Sequence, residues 1–213
     1  MSKLTLYFVR HGETDYNRQG IVQGSGIDST LNEEGFSQAK AFFDHYYSTV
    51  RFDGIFASTL RRTHQTLSFW KEQGFQIQSH AGLNELNWGI HEGKKPSVEQ
   101  NRDFRQILHK WAEGDFTQRA AGGESPLEAW DRAFPLFDML RQQYMDQTLL
   151  LCSHGRQLRV ILSNLLGEGM QHMEKYNHHN TALSIVEINE AGKANLIRLN
   201  DTTHLENSKL NVG

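Results

Sequence analysis

Two short, almost wholly apolar segments, each ending at a histidine and a glycine, constrain the fold of this chain more than any other feature. Residues 4–9 read LTLYFV and lead into Arg10–His11–Gly12, and residues 148–152 read TLLLC and lead into Ser153–His154–Gly155. Continuous apolar runs of this length indicate strands that are buried on both faces. Such strands are typical of a sheet with helices on both sides, so the two segments predict a central, mainly parallel sheet.

Segments with helical periodicity lie between and after these strands. Apolar side chains recur at helical spacing after Asn32, which predicts an amphipathic helix from that N-cap to about Tyr47. Pro135 is expected to kink or interrupt the long helix in which it lies. The remaining predicted elements are helices near 59–73, 98–111, 125–144 and 157–166, a strand at 55–57, and a hairpin of strands at 182–188 and 194–199.

The alternation of strands and helices predicts an α/β fold, specifically a three-layer α/β/α sandwich with a mainly parallel central sheet. The chain has 213 residues and no repeat, low-complexity tract or linker, so a single domain over residues 1–213 is expected.

Composition argues against several functional classes. A formal net charge of −3 disfavours a nucleic-acid partner or a membrane-surface partner, since both require a basic surplus. The sequence contains no apolar run of about 18 residues, so no membrane span is predicted. Cys152 is the single cysteine and cannot form an internal disulfide, which favours a reducing compartment. We therefore expect a cytoplasmic protein.

The carboxyl ends of the two buried strands are the expected position of a ligand site. Open parallel sheets bind ligands beyond the carboxyl ends of their strands. A lone histidine at a strand end is more often a hydrogen-bonded structural residue than a catalytic one. His11 and His154 occupy matching strand ends, however, and Arg10 precedes the first of them. The arrangement favours a site for a phosphoryl group, whose oxygens need cations and fixed N–H donors.

Two further segments add residues with suitable chemistry. The helix predicted to follow strand 55–57 begins near Arg61 and Arg62, and a guanidinium group can bind two phosphoryl oxygens at once. One of these two arginines is expected to face solvent. Glu85 lies in a later loop and is a candidate general acid, although a loop glutamate alone is usually only a surface charge.

The order of these blocks resembles the histidine phosphatase superfamily, the phosphoglycerate mutase-like proteins. The resemblance runs from Leu4 to about Asn180. Residues 10–14 (RHGET) look like the family's nucleophile motif, and residues 153–155 (SHG) look like its second-histidine motif. Further matching positions follow one another in family order: Asn17, Gln23, Gly24, Asp28, Leu31, Gly35, Gln38, Ala39, Ser58, Leu60, Arg62, Gln65, Thr66, 83–85, Gly89, 92–93 and 122–125.

This resemblance implies a phosphoglycerate mutase-like fold and a role for each matching residue. His11 would attack phosphorus and become a phosphohistidine, while Glu85 would protonate the leaving alkoxide and then activate water. The phosphoryl oxygens would be bound by Arg10, Arg62, His154 and Asn17. The remaining residues of the expected substrate site are Gln23, Gly24 and Gly155. No metal and no cofactor is implied; the expected partner is a small phosphorylated metabolite, and a homodimer is left open.

The family contains both phosphatases and phosphoglycerate mutases, and the segment after Glu85 favours a phosphatase. The mutases have a longer segment there, with a Trp–Arg–Arg stretch that grips a carboxylate-bearing substrate, and this chain has no such stretch. A site that cannot retain a bisphosphorylated intermediate loses its phosphoenzyme to water. Residues of about 88–123 are expected to form a lid that sets specificity. A 2,3-bisphosphoglycerate-dependent mutase is the alternative if one of three arginines reaches the pocket: Arg102, Arg105 or Arg119.

Three other hypotheses fit the residues less well. Cys152 and Arg159 stand one residue too far apart for the Cys-x5-Arg loop of cysteine phosphatases. His172, His178 and His179 match no common zinc spacing. A non-catalytic binding protein on the same fold would be expected to lack the nucleophile or a phosphate-binding arginine, and this chain has both.

Overall fold

The computed structural model describes residues 2–95 and 97–210, of which 207–210 are described by their backbone alone. Met1, Pro96 and residues 211–213 lie outside this description. All of them belong to the expected domain 1–213, and Pro96 also belongs to the expected lid segment 88–123. The strands of the described chain are β1 (Lys3–Arg10), β2 (Gly54–Ala57), β3 (Ile77–Ser79), β4 (Thr148–Ser153), β5 (Leu183–Asn189) and β6 (Ala194–Asp201). They form one sheet in the order β3-β2-β4-β1-β5-β6.

Parallel pairing dominates the sheet and determines where the two histidine turns lie. β1, β2, β3 and β4 pair in parallel, whereas β5 runs antiparallel to both β1 and β6. In the β1–β4 register Val9 stands opposite Cys152 and Arg10 opposite Ser153. His11 continues this pairing, because its backbone N–H donates to the Ser153 carbonyl at 3.0 Å. The two histidines therefore leave the same edge of the sheet from adjacent strands.

Helices cover both faces of the sheet. They are α1 (Asp15–Arg18), α2 (Glu33–Tyr46), α3 (Arg61–Thr66), α4 (Ser68–Glu72), α5 (Val98–Ala112), α6 (Pro126–Gln143), α7 (Gly155–Leu165) and α8 (Thr203–Leu210). Leu6 and Leu151 belong to the core that includes α6 and α7, whereas Val9 and Leu150 belong to the core that includes α2 and α4. Successive strand residues thus point into different layers, and both layers are apolar. The predicted three-layer α/β/α sandwich with a mainly parallel sheet is confirmed.

Two predicted helices differ from those observed. The helix expected over 59–73 is divided at Leu67 into α3 and α4. The hydroxyls of Thr63 and Thr66 donate to the carbonyls of Leu60 and Arg62, and threonine hydroxyls bonded in this way compete with regular helix geometry. In contrast, α6 continues through Pro135 without interruption. The proline is on the exposed side, while the residues that follow it, Leu136 and Phe137, are buried in the core.

Two other findings bear on the hypotheses raised by the sequence. No helix within residues 2–95 and 97–210 combines the length and apolar character that crossing a membrane requires. Cys152 is fully buried in β4, and its burial raises the pKa of the thiol, so the reactive thiolate form is disfavoured. The side chain is a member of the apolar core between the sheet and α2, as expected for a structural cysteine.

Close packing between α2 and the loop after β1 generates a stability prediction. A Cβ at Gly35 would lie 2.1 Å from the Glu13 carbonyl oxygen. Replacing a helical glycine by alanine ordinarily stabilises a helix by up to about 1 kcal/mol, but here the backbone would have to move. We expect Gly35→Ala to lower the free energy of unfolding by roughly 1–3 kcal/mol in urea denaturation. The exposed Ser37→Ala on the same helix should stay within about 0.5 kcal/mol, and equal stabilities would contradict the prediction.

Candidate active site

A cavity of about 200 Å³ opens where β1 and β4 end. Trp88 and Phe104 contribute apolar wall from the segment 88–123. Six of the nine residues predicted for the site line this cavity: Arg10, His11, Asn17, Gln23, Glu85 and Gly155. The other three, Arg62, His154 and Gly24, do not line the cavity, and Arg62 bonds to both of the others. The residues that the sequence predicted for one site are therefore brought together.

The ring of His11 is held in a single orientation, because one of its nitrogens is hydrogen-bonded to the backbone. Its Nδ1 lies 2.7 Å from the Gly12 carbonyl oxygen, and because a carbonyl can only accept, Nδ1 carries the proton. Nε2 therefore keeps its lone pair. Burial, followed by the positive charges of Arg62 and Arg10, lowers the pKa of His11 well below its usual value. At neutral pH the side chain is an uncharged imidazole with one basic nitrogen.

Arg10 is fixed at the end of β1 by a backbone carbonyl. Its Nη1 donates to the His178 carbonyl at 2.8 Å, while its Nε is buried with no hydrogen-bond partner in the described structure. Burial lowers the pKa of Arg10 to about 10, so the guanidinium remains charged at neutral pH. Gly155 packs against this side chain, since a Cβ at that position would lie 3.4 Å from the Arg10 Nε.

Arg62 and His154 form a bonded pair behind His11. The Nε of Arg62 donates to His154 Nδ1 at 3.1 Å, and a guanidinium can only donate, so His154 carries its proton on Nε2. That proton points to Ser58 Oγ at 2.8 Å. Both ring nitrogens of His154 are thus bonded to protein groups. Its ring centroid lies 5.1 Å from that of His11, and burial together with Arg62 lowers the pKa of His154 well below its usual value.

The loop containing Gln23 and Gly24 wraps around Arg62. The Nη1 group of Arg62 donates to the Ile27 carbonyl at 2.8 Å and Nη2 donates to the Gly24 carbonyl at 3.3 Å. Gly24 has no room for a side chain, because a Cβ would lie 1.9 Å from a carboxylate oxygen of Glu92. Gln23 lines the cavity but donates its amide to Thr14 Oγ1 at 2.7 Å. Both residues support the shape of the site.

Asn17 lies in α1, which begins directly after the loop of His11. Thr14 caps that helix, and its backbone N–H donates to Asn17 Oδ1 at 3.2 Å. Asn180 Nδ2 also donates to this oxygen, at 3.3 Å. The acceptor atom of Asn17 is therefore occupied by protein donors. The Nδ2 amide is the group that Asn17 can offer to an anion.

Glu85 lies across the N-terminus of α7, opposite the loop of His11. Its Oε1 accepts the backbone N–H groups of Leu86 and Gln157, both at 2.9 Å, and Oε2 accepts that of Arg156 at 3.2 Å. The carboxylate is buried, with 8% of the residue exposed. Oε2 has the single backbone bond and is the oxygen with more capacity to take a proton.

Arg132 and Glu124 fasten the loop that holds Glu85. Arg132 contacts Glu124 through two nitrogen–oxygen pairs, each at 2.9 Å, and donates to the Asn84 carbonyl at 3.2 Å. On the other side of Glu85, the Glu124 backbone N–H donates to the Asn87 carbonyl at 2.8 Å. Arg132 also donates to the side chain of Gln157, at 3.3 Å. The ion pair therefore contacts the loop on both sides of Glu85 and the helix that binds its carboxylate.

The sequence reasoning overlooked the cationic residues of α7. Arg156 and Arg159 line the cavity, as do Asn177 and His178. The spacing of residues on α7 could have indicated that Arg159 lines the cavity. Arg159 follows Gly155 by four residues, so the two lie on the same face of the helix. The arginines proposed from the lid segment differ in position: Arg102 and Arg105 line other depressions, and Arg119 pairs with Glu128.

The three histidines considered as a metal cluster do not converge. His178 is buried and bonds to Ser184 Oγ at 2.7 Å, whereas His172 and His179 are exposed. No group of three or more His, Cys, Asp or Glu side chains suited to a metal ion occurs among the residues that the structure describes.

Comparison with known proteins agrees with this geometry. Over 201 residues the chain is 27% identical to phosphoserine phosphatase 1 of Hydrogenobacter thermophilus, covering 94% of the chain and 93% of that protein. It is 32% identical to “Probable phosphoglycerate mutase GpmB” of Yersinia pestis, covering 88% and 86%. The structure of mycobacterial glucosyl-3-phosphoglycerate phosphatase superposes with a TM-score of 0.82 at 24% identity, over 94% and 100% of the two chains.

A family model covers nearly the whole of this fold. The model of the histidine phosphatase superfamily (branch 1) matches residues 6–202, a range that includes both histidine turns, the loop of Glu85 and the whole sheet except the first three residues of β1. The resemblance inferred from the motifs is confirmed, and the chain belongs to the histidine phosphatase superfamily.

Proposed function

We propose that this protein is a metal-independent phosphomonoesterase that acts through a phosphohistidine at His11. The observation that supports this best is the state of the His11 ring, in which Nδ1 is bonded to the Gly12 carbonyl and Nε2 is unprotonated. A nucleophilic imidazole must be neutral, and burial together with two arginines favours the neutral form. The free nitrogen belongs to a residue that lines the same cavity as Glu85.

In the first step, Nε2 of His11 forms a bond to phosphorus while the ester P–O bond breaks. The leaving oxygen takes a proton from Glu85 Oε2, which yields a free alcohol and leaves a carboxylate. Arg10 and Arg62 stabilise the charge on the phosphoryl oxygens, and Asn17 offers a further N–H donor. His154 accepts a hydrogen bond from the Nε of Arg62, and its ring lies beside that of His11. It therefore acts on the phosphoryl group indirectly, by positioning these two residues.

In the second step, water attacks phosphorus and the N–P bond breaks. Glu85, now a carboxylate, takes the proton of the water, and inorganic phosphate leaves with His11 returned to its neutral state. The three backbone N–H groups that hold Glu85 keep the carboxylate in place for both steps. Gln23, Gly24 and Gly155 preserve the shape of the site around the reacting groups.

The substrate we propose is a small phosphorylated metabolite. Pockets for drug-sized ligands have volumes of roughly 300–1,000 Å³, so a cavity of about 200 Å³ suits a small ligand. Phosphoserine phosphatase is among the relatives named above, and its name denotes a substrate of this size. The segment 88–123 would act as the lid that selects the alcohol, since its Trp88 and Phe104 line the cavity with ring centroids 4.7 Å apart.

A phosphoglycerate mutase is the second candidate, because a relative with that name covers most of the chain. A mutase must keep a phosphorylated intermediate in the site while it turns. The mutases grip the carboxylate with arginines of the lid segment, and the lid arginines of this chain, Arg102, Arg105 and Arg119, do not line the cavity. Hydrolysis is therefore favoured.

Removal of the nucleophile tests the proposed reaction. In EDTA, the wild-type protein should release inorganic phosphate from a panel of phosphomonoesters, and His11→Ala should lose at least about 10³-fold of this rate. Mass spectrometry after an alkaline quench should find the phosphoryl group on His11. His109→Ala, an exposed histidine on α5, is the matched control and should retain full activity.

The same panel should include 3-phosphoglycerate with a bisphosphoglycerate primer. Formation of 2-phosphoglycerate with little phosphate release would make the protein a mutase. If neither product depends on His11, the enzymatic proposal is wrong and the binding-protein hypothesis takes its place.

The role of Glu85 predicts a dependence on the leaving group. Glu85→Gln keeps the shape of the side chain but supplies no acidic proton, so transfer from an alkyl phosphate to His11 should slow by about 10²–10⁴-fold. Transfer from p-nitrophenyl phosphate needs no proton donor, and a burst of p-nitrophenol should survive in rapid-quench measurements. Equal losses with both esters would contradict a proton-donor role.

The Arg132–Glu124 pair should affect catalysis through the position of Glu85. We expect Arg132→Met to lower kcat about 10-fold or more with a smaller change in KM, because the carboxylate moves while the phosphate-binding groups stay in place. Arg132→Lys should recover only part of kcat, since lysine cannot reproduce the two parallel contacts. Arg141→Met, on the same helix but outside this network, is the control. A loss confined to KM would exclude the positioning role.

A further inference from the structure

The geometry points to a second anion subsite in this cavity, in which Arg159 binds a carboxylate on the alcohol portion of the substrate. This inference rests on the proposed phosphomonoesterase function and adds the substrate class: a small phosphorylated carboxylic acid. The features that support it are the position of Arg159, the balance of charge around it, and the size of the cavity.

Arg159 lies one helical turn beyond Gly155 on α7 and lines the cavity beside the phosphate-binding end. Its guanidinium is oriented by two neighbours: Nη2 donates to Asn177 Oδ1 and Nη1 pairs with Glu174. These contacts use two of its five N–H groups, and its Nε is buried with no hydrogen-bond partner in the described structure. The side chain is thus fixed and still has unused donors.

Positive charge around Arg159 exceeds the negative charge available to it. Glu174 is the carboxylate of the pair, and it also binds Arg156, so two guanidinium groups share one carboxylate. Glu85 is the one acidic residue among those that line the cavity; it accepts backbone N–H groups of α7 and is not within ion-pair distance of Arg159. One positive charge is therefore left without a carboxylate partner. A ligand carboxylate would supply it, with two oxygens that match the guanidinium fork.

Arg156 is less suited to this role because its guanidinium is committed to the lid. It lies over the rings of Trp88 and Trp111, at 5.7 and 5.4 Å from their centroids, and its backbone N–H binds Glu85. Moving it toward a ligand would break aromatic contacts that hold the lid segment. Within the described part of the chain the guanidinium of Arg159 lies over no aromatic ring, and it donates to Asn177, another residue of the lining.

The size of the cavity favours a carboxylate over a second phosphate. A volume near 200 Å³ must contain the phosphoryl group as well as the alcohol. A carboxylate is smaller than a phosphate and carries one negative charge, which equals the single unpaired positive charge at Arg159. A small phospho-acid satisfies both conditions.

Two esters that differ at one group test this subsite. 3-Phosphoglycerate and glycerol 3-phosphate share a three-carbon chain and a terminal phosphate, but the first has a carboxylate where the second has a hydroxymethyl group. The ratio of their kcat/KM values for phosphate release isolates the carboxylate contribution. We expect the wild-type ratio to favour the carboxylate, and Arg159→Gln to reduce that ratio by about 10–100-fold, the range for a hydrogen bond to a charged group.

Matched variants and an ester without a carboxylate separate the two proposals. Arg105→Gln removes a lid arginine outside the cavity and should leave the ratio unchanged, and Arg159→Lys should restore part of it. p-Nitrophenyl phosphate has no carboxylate and reports His11-dependent hydrolysis alone. If it is hydrolysed but the wild-type ratio is near one, or Arg159→Gln leaves the ratio unchanged, the subsite is wrong and the phosphatase stands. If no ester depends on His11, both proposals fail.

Discussion

The parallel pairing of β1 with β4 is the constraint on which the rest of the site depends. It sets Arg10 opposite Ser153 and continues in the hydrogen bond from His11 to the Ser153 carbonyl. Because β2 pairs with β4 on its other side, Ser58 reaches the same edge and accepts the proton of His154. Three strands thus bring His11, His154 and the helix of Arg62 to one end of the sheet. Any slip of this register would separate groups that must act together.

The sequence was most informative where burial and chain geometry left few alternatives. The apolar runs at 4–9 and 148–152 predicted buried strands, and their shared direction predicted that His11 and His154 would meet. Local side-chain bonds were harder to anticipate. The division of the helix at Leu67 depends on threonine hydroxyls that bond backward to carbonyls, and the continuity of α6 through Pro135 depends on core packing of its neighbours. Neither effect is visible in hydrophobic periodicity.

The same limit applies to the site. The order of the motifs predicted that Arg10, Arg62 and Glu85 belong to the site. It did not predict that Arg62 would bond to His154 instead of lining the cavity. Further arginines of the cavity were expected from the lid segment, but they come from α7. In the sequence, the arginines of α7 look like ordinary exposed helix residues. Identifying them requires knowing which face of α7 meets the cavity. That information comes from the contact of Gly155 with Arg10 and is absent from the helix's own sequence.

Arg10 and Arg62 have one further property in common, which is that backbone carbonyls hold them in place. His178 provides the carbonyl for Arg10, and Gly24 and Ile27 provide those for Arg62. A carbonyl dipole orients a guanidinium without cancelling its charge, and within the described residues neither arginine is in an ion pair that a phosphoryl dianion would have to break. The two guanidinium groups consequently contribute a positive potential to the site. Capture of the anion should become slower as added salt screens that potential, while the buried bonds that align the two arginines remain intact.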